Sequence, residues 1–66
     1  MFDTIQRVYE LAGKNGISVS RLCAMSGVNH STILTAKKRN GQLTVDTIER
    51  ICEAVHIPIS EFFSDR

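Results

Sequence analysis

Apolar residues recur along this chain at spacings of three and four, nowhere in the strict alternation of a strand, and that period predicts helices throughout. Phe2, Ile5, Val8, Tyr9 and Ala12 mark one face of a first helix over residues 2–13, ended near Gly13 with the turn Asn15-Gly16 behind it. Ser18 is a good N-cap for a second helix over 18–26, in which Val19, Leu22, Cys23 and either Met25 or Ser26 face inward. Gly27 follows as a residue able to take positive φ at a helix C-terminus. Asn29 caps a third helix over 29–38, and Val28 before it is placed to staple onto Ile33. That helix offers only Ile33 and Ala36 to a core and stops at Asn40-Gly41. Thr44 caps a fourth helix over 44–55, with Asp46 favouring the dipole of its first turn. Its apolar face is Val45, Ile48, Ile51, Cys52 and Val55. His56 then stands where Gly is commoner and is expected to tolerate the left-handed conformation. Ile57-Pro58-Ile59 breaks the chain, and Ser60 is expected to cap a last turn over 60–64 that carries Phe62 and Phe63. Five helices in one compact all-α bundle are expected.

Sixty-six residues predict a single domain spanning 1–66. A chain of this size buries only about 60% of the surface its unfolded form exposes, so the core is small. With 42% hydrophobic and 23% charged residues the composition is that of a soluble globular chain. No apolar stretch approaches the roughly 18 residues that span a bilayer, so no membrane association is expected. The first residues, with Asp3 and no apolar run, are not expected to be a signal peptide. Cys23 and Cys52 stand 29 apart without a CxxC partner, on apolar faces, and are expected to be buried thiols of a cytoplasmic protein.

Net charge is only +1, but its distribution is uneven. Residues 11–45 hold Lys14, Arg21, Lys37, Lys38 and Arg39 and no Asp or Glu, while the rest holds all seven acids against three bases. Within the basic stretch, two short capped helices meet at a Gly-containing turn. That arrangement, on the positive part of the chain, is the one expected of a DNA-binding helix-turn-helix.

On a wheel of 100° per residue, Ile33 and Ala36 fix the buried side of the third helix. Ser31, Leu34, Thr35 and Lys38 then face outward, flanked at the first turn by His30 and Thr32. Short polar side chains allow close approach to a major groove, hydroxyls donate or accept at base edges, and a methyl or Leu meets a thymine methyl. Lys37, Lys38 and Arg39 run into a loop that would lie against phosphates.

These residues resemble the phage repressor and Cro-like helix-turn-helix domains, also called the xenobiotic-response-element (XRE) family. Its Ser/Thr cap, Leu-Ala pair, Gly-Val-Ser and Ser-Thr-Ile run are matched by Ser18, Leu22-Cys23, Gly27-Val28-Asn29 and Ser31-Thr32-Ile33. Further on, Thr44-Val-Asp-Thr-Ile48 and Ile57-Pro-Ile-Ser-Glu-Phe-Phe63 stand for its Ser-Leu-x-Thr-Leu and Val-Pro-Leu-x-x-Leu-Phe. Relatives of this family are a standard helix-turn-helix example. The chain departs from it at Val19, where Gln is common and touches phosphate, at Lys37, where an acid is common, and at Leu43, where Pro is frequent.

The resemblance and the residues together predict a sequence-specific transcriptional regulator, most simply a repressor. His30, Ser31, Thr32 and Thr35 are the expected base contacts; Ser18, Ser20, Lys37, Lys38, Arg39 and Asn40 the expected phosphate contacts. The expected partner is double-stranded DNA with a palindromic operator, bound by a homodimer. No catalytic residue, cofactor or metal is expected. His30 and His56 are 26 apart and lack ligands at metal spacing, no nucleophile–base–orienter set is present, and no Gly-rich phosphate loop occurs. The alternative is a helical protein–protein interaction module with the same bundle and no DNA readout, using Ile57, Ile59, Phe62 and Phe63 as its surface.

Overall fold

The computed structural model describes residues 2–64; Met1, Asp65 and Arg66 of the expected 1–66 domain lie outside the described residues. Five helices follow in chain order: α1 Thr4–Lys14, α2 Val19–Ser26, α3 His30–Lys38, α4 Val45–Ala54 and α5 Ile59–Phe62. The all-α class read from the apolar period is the class observed.

Each start has a local cause. Asp3 sits in extended backbone and its carboxylate accepts from the Gln6 N–H at 3.0 Å, so α1 begins at Thr4 and Phe2 stays outside it. Ser18, Asn29 and Thr44 cap α2, α3 and α4 by accepting from the N–H groups of Arg21, Ser31 and Thr47. The last start differs from expectation. Ser60 lies inside α5, whose N-cap is Pro58 with no side-chain cap bond. Pro58 is already extended at ψ 155°, and its carbonyl accepts from the Glu61 N–H at 3.0 Å, so the turn begins two residues earlier than a Ser60 cap would place it.

The four longer helices share one ending. Gly16, Gly27, Asn40 and His56 take φ of 66°, 72°, 55° and 58°. The next residue in each case donates its N–H back across the turn: Ile17 to Ala12, Val28 to Cys23 and Ile57 to Cys52, each at 3.0 Å, and Gly41 to Ala36 at 2.8 Å. Ile17, Val28 and Ile57 then press their side chains on the core, which fixes the direction in which each new helix leaves. His56 occupies the left-handed position expected of it.

Val8, Leu22, Ile33, Ile48, Ile51 and Phe62 form the sealed centre of the core. α2 packs most extensively on α4, α1 lies across α2 and α3, and α5 closes against α4. The radius of gyration, 10.6 Å, matches the roughly 11 Å of a compact chain of this length. Cys23 and Cys52 are free thiols inside this core, and burial pushes both above the ordinary thiol value.

Some expected core positions differ. Val45 is 61% exposed because it opens α4, where nothing packs over its side of the first turn. Met25 is also exposed, and Ser26 is the half-buried one of the two, its hydroxyl donating to the Leu22 carbonyl at 2.7 Å. Two polar residues are buried instead. Thr4 donates its hydroxyl to Gln42 Oε1 at 2.7 Å and accepts from the Leu43 N–H at 2.9 Å, tying the loop after α3 to the start of α1. Arg7, 4% exposed, bridges α1 to α5.

Candidate nucleic-acid interface

α2 and α3 are joined by Gly27, Val28 and Asn29 alone. A Cβ at Gly27 would meet nothing nearer than Arg50 Nη1 at 3.8 Å, so glycine serves here through its backbone freedom and not through lack of space. The turn swings α3 across the end of α2. α3 is anchored by Ile33, which is fully buried, and by half-buried Ala36. Its remaining length is turned to solvent.

Ser31, Thr32, Leu34, Thr35 and Lys38 are all exposed, and His30 is half-buried at the first turn. Ser31 has a defined orientation. Its N–H and its hydroxyl both donate to Asn29 Oδ1, at 2.9 and 2.8 Å, so its free lone pairs face outward as acceptors. Thr32 and Thr35 border a shallow hollow with Arg39 and Gln42 on one side of α3. His30 and Leu34 border another, with Ser18 and Ser20 of the α2 entry, on the opposite side. Of the expected base contacts, Ser31 and Thr35 share the outward face, while Thr32 and His30 stand at its two opposite edges; Arg39 lies on the Thr32 side and Ser18 and Ser20 on the His30 side.

The cations are not equivalent. Lys38 and Arg39 are exposed, and among the described residues neither makes an ion pair. Arg50 is engaged by Asp46 at 3.0 Å. Lys37 turns toward α1, its ammonium 4.6 Å from the centre of the Tyr9 ring and 3.5 Å from its hydroxyl. That places Lys37 at the border of the outward face, beside a hollow lined by Asp3, Gln6 and Asn40. Ser18 Oγ accepts from the Arg21 N–H at 3.0 Å and keeps its own proton free to donate. Lys37 and Lys38 stand in the last turn of α3, where the helix dipole favours positive charge.

The roles of Tyr9 and Gln42 are not visible in the sequence. Tyr9 looks like one more residue of the α1 apolar face, and only the crossing of α1 over α3 reveals that it receives Lys37. Gln42 Oε1 accepts from both the Thr4 N–H and hydroxyl, a contact 38 residues apart with no local signal. Among the described residues no helix is long and apolar enough to cross a membrane, and no group of three His, Cys, Asp or Glu could hold a metal ion.

Known proteins resemble this chain in sequence. Over 60 residues the chain is 28% identical to the HTH-type transcriptional regulator PuuR of Escherichia coli (strain K12), covering 91% of this chain and 32% of that protein. It is equally similar to the PuuR regulator of Shigella flexneri. The chain thus spans about a third of the length of the curated relatives it matches. No solved structure is a significant match. Residues 7–65 match the model of the Cro/C1-type HTH DNA-binding domain. A capped helix pair on a left-handed glycine and an outward polar face on α3 are what such a domain requires, and this chain belongs to that DNA-binding, non-enzymatic family.

Proposed function

We propose that this chain reads duplex DNA in a sequence-specific manner as a transcriptional regulator, most simply a repressor that occludes a promoter. The observation that carries this reading is α3: one sealed anchor, Ile33, beneath a face of short polar side chains that ends in two cations without carboxylate partners among the described residues. The similarity to a protein named as a transcriptional regulator supports it. α3 lies in the major groove and α2 crosses the backbone. His30, Ser31, Thr32 and Thr35 read base edges, with Ser31 as an acceptor matched to an exocyclic amine of cytosine or adenine. Ser18, Ser20, Lys37, Lys38, Arg39 and Asn40 hold phosphates, Ser18 by the proton its cap bond leaves free. The site of action is the cytoplasm, where the buried thiols stay reduced.

One domain of this size covers little DNA, so the regulator binds as a homodimer on a palindromic operator. Exposed Phe63, its ring tilted against Phe2 with centroids 5.1 Å apart, and exposed Ile59 provide an apolar surface for a protein contact. The same surface favours the second reading, a protein-interaction module that binds no particular sequence. Selection of bound duplexes from a random pool, followed by titration at several salt concentrations, separates the two. A selected, inverted-repeat motif with affinity falling as salt rises supports the regulator. Enrichment of no sequence, with affinity independent of salt, supports the module.

A further inference from the structure

α3 carries one side chain that the proposed hydrogen-bonding scheme leaves without a task. Leu34 is 49% exposed on the outward side, one turn after His30 and one turn before Lys38. It is not an isolated apolar spot. Leu34 borders an open hollow of about 470 Å³ with Tyr9, Ile17 and Val19, and Ser18 and His30 lie at its rim. The apolar surface of this hollow thus comes from the middle of α1, the α1–α2 loop, the start of α2 and the middle of α3, and it opens beside the hydroxyls proposed to meet the backbone. Val19 belongs to it, at the position where the resembled family commonly carries Gln. An apolar surface thus separates Leu34 of α3 from the Ser18 and Ser20 hydroxyls at the start of α2.

A polar base edge gains nothing from such a surface, and an exocyclic amine or carbonyl pressed on it would lose its water without a partner. In the major groove one base presents an apolar group there: thymine, with its C5-methyl. We propose that Leu34 is a specificity-determining residue, one that selects thymine by burying the methyl group against its side chain, with Val19 as the flanking wall. This rests on α3 being the DNA-reading helix, and it adds a requirement that the hydrogen-bonding residues do not impose. Burying one methyl corresponds to about a fourfold change in affinity.

The test uses the duplex selected by the whole chain from a random pool. Each thymine in turn is replaced by deoxyuridine, which keeps every hydrogen-bonding group and lacks only the methyl. At one thymine per half-site the wild-type chain is expected to bind the deoxyuridine duplex about fourfold more weakly. Leu34→Ala is expected to bind both duplexes equally, about sixteenfold more weakly than wild type binds the thymine duplex because a homodimer loses the contact in both half-sites, while Leu34→Met, which keeps an apolar reach, retains the difference. Because Leu34 is exposed, the melting temperature and salt slope of both variants should match wild type. If no deoxyuridine substitution weakens the wild type, or if Leu34→Ala discriminates as well as wild type does, the proposal is overturned while sequence reading by α3 stands. Failure of the wild type to select any sequence overturns both.

Discussion

Arg7 Nε donates to the backbone carbonyl of Phe62 at 2.7 Å, joining the second turn of α1 to the end of the last helix. Its Nη2 donates to the Glu61 carbonyl at 2.9 Å, and its Nη1 pairs with Glu10 at 3.3 Å. α5 has only four residues and no side-chain N-cap, so it is too short to stand without help. The Glu61 carbonyl also accepts from the Ser64 N–H at 3.1 Å, and a fully buried Phe62 depends on this turn being held. The planar guanidinium serves two carbonyls and one carboxylate at once, which an ammonium cannot do in the same geometry.

Arg7→Ala is therefore expected to lower stability by about 2–4 kcal/mol, from the buried Phe62 carbonyl losing its Arg7 donor and the missing packing of the arginine stem. Arg7→Lys should recover only part of this. Urea denaturation measures the change. Equal stability of Arg7→Lys and wild type would show that charge alone, and not the forked geometry, holds α5.

The bridge from Arg7 to α5 also marks where the sequence stops being informative. Caps at Ser18, Asn29 and Thr44, the left-handed Gly27 and even the left-handed His56 are legible, because each depends on a few neighbouring residues. The site is legible to the same extent: the outward face of α3 follows from Ile33 and Ala36 with the helical period. Arg7 is not, since a charged residue on an amphipathic helix looks solvated until a partner 55 residues away is placed over it. Thr4 with Gln42, and Lys37 over Tyr9, are hidden for the same reason. Val45 shows the converse limit, an apolar residue in period whose side of the helix nothing covers.

Lys38→Ala with Arg39→Ala should weaken binding to every duplex and reduce the salt slope by about 2, close to 0.9 for each phosphate no longer neutralised. Lys37→Ala should reduce it by less, since its ammonium is already shared with the Tyr9 ring. Titrations between low and physiological salt provide the slopes. A double variant with the wild-type slope places the loop after α3 away from DNA.

His56 adopts φ 58° without being glycine, a conformation that crowds its Cβ. His56→Gly should raise stability by about 0.5–1 kcal/mol, the relief of that crowding less the greater freedom glycine has when unfolded. His56→Val should lower stability by about 1–2 kcal/mol, because a β-branched residue tolerates positive φ worst. Thermal melts of the two variants should move in opposite directions.

Cys23 and Cys52 have their thiols raised, chiefly by burial, above the ordinary value of 9.0. The folded state therefore keeps its protons while the unfolded chain loses them. Stability from this source is complete below pH 9 and is lost as pH rises through the raised folded values. Cys→Ala at either site should cost no more than about 1–2 kcal/mol at neutral pH and should reduce the decline at high pH. A bulky thiol reagent should label the folded chain slowly; rapid labelling under native conditions would contradict the buried positions.

Ser31 and Thr35 stand one turn apart on α3, both exposed, above the sealed Ile33. Thr35→Ala should leave the melting temperature almost unchanged. Ser31→Ala should lower it only slightly, because Asn29 Oδ1 still accepts from the residue 31 N–H when the hydroxyl is gone. Each substitution should cost roughly 1–3 kcal/mol of discrimination between the selected site and a site mutated at the base it reads. Non-specific affinity and its salt slope should stay as they were, because no phosphate contact is removed. Ile33→Ala should do the reverse. A cavity beneath α3 should lower stability by about 2–5 kcal/mol, and binding should fail only as the fold fails. Competition binding with matched and mutated duplexes, run beside thermal melts, separates these outcomes. If the Ser31 and Thr35 variants keep full discrimination on the selected site, base reading belongs to another surface and α3 only supports it.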